Sequence, residues 1–178
     1  MRPINCDDLG GWIPLRPTYR DPAVVAEACE STVASLVRHG LLQKEEADDA
    51  AYELARYADY LEDGYQLAKK LEDRAHWDPS AQMVEVLGGH ASSWVGALIR
   101  QVQEWVRLYE IWPPFSVGTR VAVPWRRRVE PGTIARIFPE SGECAVRLDI
   151  ETRSDCYAAV AYEAIDLLAT DQVSISAS

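Results

Sequence analysis

Hydrophobic residues between Asp78 and Trp112 recur every three or four positions, which is the spacing of one face of an α-helix. Asp78-Pro79 supplies a helix start, because aspartate is a favoured N-cap and proline is tolerated in the first turn. Pro113-Pro114 supplies the stop. The pattern predicts one helix over residues 78–112, continuous or kinked, the alternative being a break at Gly88-Gly89. Its apolar stripe consists of Leu87, Ala91, Trp94, Leu98, Val102, Trp105, Tyr109 and Trp112.

Two more helices are predicted before this one. Asp21-Pro22 repeats the same start, and Gly40 is a suitable C-terminal cap. The next apolar stripe runs from about Lys44 to Ala75, with a kink expected at Gly64, where glycine costs about 1 kcal/mol relative to alanine. Matching stripes joined by short turns predict an antiparallel three-helix bundle over residues 21–112.

The two ends of the chain lack this periodicity. Residues 1–20 contain Gly10-Gly11 and prolines at 3, 14 and 17, so we expect an irregular N-terminal arm. Residues 170–178 are expected to form a flexible tail.

After the double proline the hydrophobic period changes from 3.6 to two, which indicates β-strands. Five short strands separated by turn residues are typical of a small barrel. The predicted strands are 119–123, 132–138, 144–150, 156–162 and 165–168.

This β segment resembles a known class of fold. The sequences Phe115-Ser-Val-Gly-Thr-Arg-Val, Pro131-Gly-Thr-Ile-Ala-Arg-Ile, Cys144-Ala-Val-Arg-Leu-Asp and Tyr162-Glu-Ala-Ile-Asp-Leu-Leu look like those of SH3-like barrels of the Tudor and KOW type. The resemblance covers residues 115–169 and implies a five-stranded β-barrel. We therefore predict an α+β protein, with the antiparallel three-helix bundle followed by the SH3-like barrel.

Charge and composition restrict the class of protein. The net charge is −10, and residues 1–115 carry 19 acidic and 11 basic residues. Such a charge disfavours nonspecific attraction of the N-terminal half to phosphate backbones or anionic lipid. An acidic surface suits a basic partner, although simple solubility is the commoner explanation. No apolar run is long enough to span a membrane and the N-terminus lacks a signal-peptide core, so we expect a cytoplasmic protein, in the host cell if phage-encoded.

Residues that commonly carry out catalysis do not form a recognisable constellation. Asp73-x-x-His76 has the spacing of half a two-metal site, but neither His39 nor His90 supplies a second pair. Phosphate-binding glycine loops and a serine nucleophile elbow are absent, and the cysteines lack zinc spacing. We predict no catalytic or metal residues, no cofactor and no enzyme activity.

One candidate binding site lies in the predicted barrel. Trp125, Arg126, Arg127 and Arg128 form the densest basic cluster of the chain, and Tyr157 is an additional candidate for stacking. Guanidinium groups beside an aromatic ring suit phosphates, a carboxylate patch or an alkylated cation. The alternative is that the arginines pair with the chain's own acidic helices.

A second candidate site is an acidic face on the predicted middle helix. It imitates a nucleic-acid backbone and suits a basic groove on another protein, although a solvated outer face is the commoner explanation. The residues are Glu45, Asp48, Asp49, Glu53, Asp59, Glu62 and Asp63.

The first functional hypothesis is a non-enzymatic inhibitor that binds a nucleic-acid-handling complex through this acidic surface, as a phage anti-CRISPR or other anti-defence factor would. The second is a nucleic-acid or modified-peptide reader that binds through the barrel. The third is a subunit of a larger assembly, and the oligomeric state stays open.

Overall fold

The structure is a computed structural model that describes residues 13–153 and 155–168. Residues 1–12 of the predicted arm and the whole predicted tail therefore lie outside the described residues. The chain divides into two compact units. The helical unit is Leu15–Glu104, and the sheet unit comprises residues 13–14 and 105–168 of the described part.

The described residues form five α-helices followed by a five-stranded antiparallel sheet, which confirms the α+β class. A 3-10 helix at Lys44–Glu46 precedes the second α-helix. The helices are α1 Pro22–Arg38, α2 Ala47–Tyr57, α3 Gly64–Ala75, α4 Ala81–Leu87 and α5 His90–Leu108.

Helix α1 begins and ends where the sequence predicts. Pro22 occupies the first turn after the N-cap Asp21. The Asp21 carboxylate turns back and accepts hydrogen bonds from the amide and hydroxyl of Thr18, rather than from the helix. At the other end Gly40 has a φ of 68°, and the amides of Gly40 and Leu41 donate to the carbonyls of Val37 and Leu36. This is the Schellman arrangement that glycine favours.

The single helix predicted over residues 44–75 is wrong, because the chain leaves the helical conformation between Tyr57 and Gly64. A new helix, α3, begins after Asp63, which forms a capping box with Gln66. The Asp63 carboxylate accepts from the Gln66 amide at 2.8 Å, and the Gln66 side chain accepts from the Asp63 amide. Gly64 is therefore the first residue of α3 and not a kink. A Cβ at Gly64 would lie 2.4 Å from the Val84 carbonyl oxygen, so α3 and α4 touch through their backbones.

The single helix predicted over residues 78–112 is also wrong. Ser80, whose hydroxyl accepts from the Met83 amide, is the N-cap in place of Asp78. The helix breaks at Gly88-Gly89, and its second part ends at Leu108, before the prolines.

The second part ends early because of Glu110. Its φ of 49° turns the chain so that the Ile111 amide donates to the Val106 carbonyl. Trp112 thus lies beyond the helix and is largely exposed. The predicted three-helix bundle is replaced by five shorter helices.

Two apolar clusters form the core of the helical unit. The smaller surrounds Trp94, whose indole N–H donates to the Tyr19 carbonyl at 2.9 Å and whose ring meets Tyr60 edge-on. The larger joins α1, α2, α3 and α4. Its buried members are Cys29, Val33, Leu36, Ala50, Leu54, Leu67, Ala68, Leu71, Met83 and Leu87.

All five predicted strands are present, with changed ends. The sheet order is β4-β3-β2-β1-β5, so β1 to β4 pair in the order of the sequence and β5 returns beside β1. A bulge lies between Ile134 and Arg136 of β2. The described strands do not close the sheet into a barrel. They are β1 Arg120–Trp125, β2 Arg128–Phe138, β3 Glu143–Leu148, β4 Ala158–Ala161 and β5 Asp166–Leu167.

None of the described helices combines the length and apolar character needed to cross a bilayer. The described thiols Cys29, Cys144 and Cys156 are free.

Candidate binding sites on the two units

The acidic residues predicted to share one helix face are distributed over three elements. Glu45 lies in the 3-10 helix, and Asp48 and Asp49 lie in the first turn of α2, all three exposed. Glu53 follows Asp49 by four residues and is half-buried on the same side of α2. Negative side chains in the first turn suit the positive end of the helix dipole.

Asp59, Glu62 and Asp63 lie between α2 and α3, where they hold the connection together. The Asp59 carboxylate accepts from the Leu61 amide at 3.0 Å. Glu62 accepts from the Asp59 amide at 3.1 Å and forms an ion pair with Lys70. Asp63 caps α3. All three carboxylates therefore have partners close by in the chain, and they do not continue the α2 face.

Two of the remaining carboxylates, Asp49 and Glu53, line a pocket of about 370 Å³ that lies wholly within the helical unit. Five apolar residues and four carboxylates line it together. Asp49 and Glu53 were among the predicted site residues, whereas Trp77, Asp78 and Met83 come from other parts of the fold. The lining residues are Leu41, Leu42, Glu46, Asp49, Ala50, Glu53, Trp77, Asp78 and Met83.

Trp77 is fixed in this pocket by its backbone and by its indole. His76 adopts a left-handed conformation with φ 60° at the end of α3, and the Trp77 amide then donates to the Leu71 carbonyl at 3.3 Å. The indole N–H donates to Oε2 of Glu53. An aromatic ring and a carboxylate are therefore held side by side, and a sequence pattern gives no sign of this long-range pair.

The helical unit has 16 acidic and 9 basic residues, a net charge of −7. Several of its cations already have partners: Lys69 with Glu72 and Asp73, and Arg100 with Glu27. In the part of the chain that the structure describes, the pocket carboxylates Asp49 and Asp78 have neither a hydrogen bond nor an ion pair to their side chains. The pocket is thus a site of uncompensated negative charge.

In the sheet unit, Trp125 and Arg128 face each other as the last pair of β1 and β2. Arg126 and Arg127 form the two-residue turn between them, with φ values of 44° and 71°. Positive φ at both central residues is the mark of a type I′ hairpin turn. The predicted loop is thus the tip of a tight hairpin.

Tyr157 lies away from this tip. It directly precedes β4, whose first residue Ala158 pairs with Val146, which pairs with Ile134 of β2. Ile134 is six residues from Arg128 along the strand, which corresponds to about 20 Å. The structure therefore brings the four residues 125–128 together and leaves Tyr157 on another part of the sheet.

The arginines of the sheet unit differ in their partners. Arg120 makes a bidentate pair with Asp149, with N–O distances of 2.7 and 2.5 Å, and this guanidinium lowers the pKa of the Asp149 carboxyl. By contrast, among the residues described, no carboxylate of the sheet unit pairs with Arg126, Arg127 or Arg128. The Arg126 guanidinium lies over the Trp125 ring, 5.6 Å from its centroid.

Histidine and cysteine do not form a metal-binding cluster in the described part of the chain. No group of three or more His, Cys, Asp or Glu side chains there has the arrangement needed to hold a metal ion. His76 terminates α3 and His39 terminates α1, where its Nδ1 donates to the Ser35 carbonyl at 2.8 Å.

In comparisons with known proteins, no family model, no curated protein and no solved structure matches this chain.

Proposed function

We propose that this protein binds a basic segment of another protein through the acidic pocket of its helical unit. The observation that carries the proposal is the lining of the pocket, which combines four carboxylates with apolar side chains. A lysine or arginine side chain has the complementary structure, because its long apolar stem ends in a cation.

Each part of the pocket has a role in holding such a side chain. Leu41, Leu42 and Met83 offer apolar contact to the stem. Asp49 and Asp78 are available as acceptors for the cationic head, and the Trp77 ring adds a cation–π surface. Glu53 already accepts the indole N–H and has lone pairs left, since an ionised carboxylate accepts about four hydrogen bonds.

The proposal includes the class of partner. Proteins that handle nucleic acids present basic grooves to phosphate backbones, and a unit with a net charge of −7 would be steered towards such a groove. Occupying the groove would exclude the nucleic acid. An inhibitory role of the anti-CRISPR or anti-defence kind is the most specific form of this proposal.

The test uses the full-length protein and a labelled nine-residue peptide of alternating arginine and glycine. Isothermal titration is expected to show binding that weakens with salt. The double variant Asp49→Asn with Asp78→Asn is expected to weaken it roughly tenfold, because hydrogen bonds between charged groups are the strong ones. The matched control is Glu30→Gln with Glu85→Gln, two exposed carboxylates that do not line the pocket.

Equal weakening by the pocket variant and by the control would mean that only overall charge matters, and would overturn the proposal. Absence of binding at low salt would overturn it as well. Neither result depends on the sheet unit.

We also propose that the sheet unit is an SH3-like small barrel in its open form. The support is the meandering order from β1 to β4, the return of β5 beside β1, and the 3-10 helix Tyr162–Ala164 between β4 and β5. The bulge in β2 supplies a bend of the kind a small barrel uses to curve. A crystal structure in which β2 does not bend across two layers would contradict this assignment.

A further inference from the structure

The hairpin of β1 and β2 extends beyond the rest of the sheet. β5 pairs with β1 only at Val121 and Ala122. On the β2 edge, the last hydrogen bond from the chain after β3 is the one that the Asp149 amide donates to the Pro131 carbonyl. Among the described strands, only β1 and β2 continue beyond the pair Ala122–Pro131. The end of the hairpin is thus a two-stranded ribbon, with Trp125 and Arg128 as its last pair.

The turn that closes this ribbon has an unfavourable sequence for its geometry. A type I′ turn places both central residues at positive φ, which favours Asn-Gly, Asp-Gly or Gly-Gly. Here both positions are arginine, so each adopts a backbone conformation that residues with a Cβ rarely adopt. Backbone strain maintained at a defined position suggests a role other than stability.

The charge of the tip supports the same conclusion. Three consecutive guanidinium groups occupy the end of the ribbon in a protein with a net charge of −10. The sheet unit provides Asp149 for Arg120 but, in its described part, no carboxylate for these three. The tip therefore presents cations that are exposed and available to a ligand.

We propose that the hairpin tip, residues 125–128, binds single-stranded nucleic acid. Arg126, Arg127 and Arg128 would hold phosphate groups, for which the planar guanidinium provides paired donors. The half-buried Trp125 ring would stack on a base. This aromatic surface is the reason to favour nucleic acid over an acidic peptide, which has no base to stack.

This site is separate from the acidic pocket, and the experiment addresses it alone. The full-length protein is titrated into a fluorescein-labelled twelve-nucleotide oligothymidine at salt concentrations from 25 to 200 mM. We expect affinity to fall with salt with a logarithmic slope of about −2, since each phosphate contact on a single strand contributes about −0.7.

The main variant is Arg126→Asn with Arg127→Gly, which removes two cations and replaces them with the residues that the turn favours. It is expected to fold at least as well as the parent and to lose roughly tenfold or more in affinity, with a slope near −1. The control is Arg136→Gln with Arg147→Gln, two exposed arginines on β2 and β3 that cause the same change in charge. The control is expected to bind like the parent.

A second variant, Trp125→Leu, tests the stacking contact. It is expected to lower affinity by roughly fivefold or more while leaving the salt slope unchanged. Equal losses in the tip variant and in the control would overturn the proposal. So would no binding at 25 mM salt, tighter binding to a duplex of the same length, or displacement of the oligonucleotide by a polyglutamate peptide at equal charge.

Discussion

Nδ1 of His90 lies 2.7 Å from Oγ1 of Thr32, and this hydroxyl lies 3.0 Å from the carbonyl oxygen of Ala28. A carbonyl can only accept, so the Thr32 hydroxyl uses its proton on Ala28 and must accept from His90. Nδ1 of the imidazole therefore carries a proton. Nε2 is buried and has no hydrogen-bond partner among the described residues.

This arrangement predicts that stability falls as the solution is acidified. Burial lowers the pKa of His90 to about 4, an effect that the Glu62 carboxylate partly opposes. The unfolded chain takes up a proton below pH about 6.5, whereas the folded protein does so only near 4, so acid favours unfolding across that window. At about 1.4 kcal/mol per pKa unit, His90 accounts for a loss of about 3 kcal/mol.

Urea unfolding at pH 7 and pH 4.5 measures this loss. His90→Asn cannot titrate, so its free energy of unfolding should change less between the two pH values than that of the parent. His39→Asn, at an exposed position, should retain the pH dependence of the parent. Identical pH dependence in the parent and His90→Asn would refute the buried neutral imidazole.

A second prediction concerns the contact between α3 and α4. Gly64→Ala would place a methyl group 2.5 Å from the Gly88 amide nitrogen and closer still to the Val84 carbonyl oxygen. Backbone atoms cannot move aside as a side chain does, so we expect a loss of about 1–3 kcal/mol in unfolding free energy. Thermal and urea unfolding measure it.

Gly96→Ala is the matched control for that substitution. Gly96 is inside α5, and the atoms nearest to a Cβ there belong to the flexible end of the Arg100 side chain, at 3.3 Å. Alanine is the better helix former by about 1 kcal/mol, so this variant should be neutral or more stable. Destabilisation of equal size at both positions would contradict the close approach at Gly64.

A third prediction is that relieving the hairpin turn stabilises the protein. Arg126→Asn with Arg127→Gly removes side chains from two left-handed positions and should raise the unfolding free energy by about 1–2 kcal/mol. A lower midpoint in urea than that of the parent would show that the arginines stabilise the turn.

The fourth prediction concerns thiol reactivity. Burial raises the pKa of Cys29 and of Cys144 to about 11, with Glu30 adding to the effect at Cys29. The thiolate is the reactive form, so both should resist iodoacetamide at pH 8 in the native protein. Cys156 is half-buried and should be alkylated first of these three described cysteines. Peptide mapping by mass spectrometry gives the order, and faster labelling of Cys29 than of Cys156 would contradict it.

The sheet was predictable because each strand carries its own signal. Alternation of apolar and polar residues identifies a strand within six residues, and the turns between strands contain glycine, proline or charged residues. The hairpin at 125–128 was harder to predict, because a tight type I′ turn made of two arginines contradicts the usual sequence preference.

The helix breaks were missed for a physical reason. Spacing of three and four continues through Ala58 and Leu61 even though the backbone there is not helical, so periodicity alone cannot reveal the interruption. The signal that was available is the capping box Asp63-x-x-Gln66. The contact of Gly64 with α4 had no signal, since it joins residues that are distant in the chain.

The acidic pocket illustrates the same limit. Asp49 and Glu53 were identified from charge spacing on one helix, but Trp77 and Asp78 join them only because His76 turns the chain through a left-handed conformation. A charge pattern predicts which side chains share a face of one helix. It does not predict which helices and loops pack against each other.

The arginines at the hairpin tip also affect how this protein should be engineered. A laboratory selection for heat resistance alone would enrich variants with asparagine and glycine at positions 126 and 127, because those residues fit the left-handed backbone there. The resulting chain would be more stable, yet it would lack two of the exposed arginines with which the tip is proposed to bind nucleic acid. Reagents used to search for binding partners should therefore keep the parental tip, even at the expense of melting temperature.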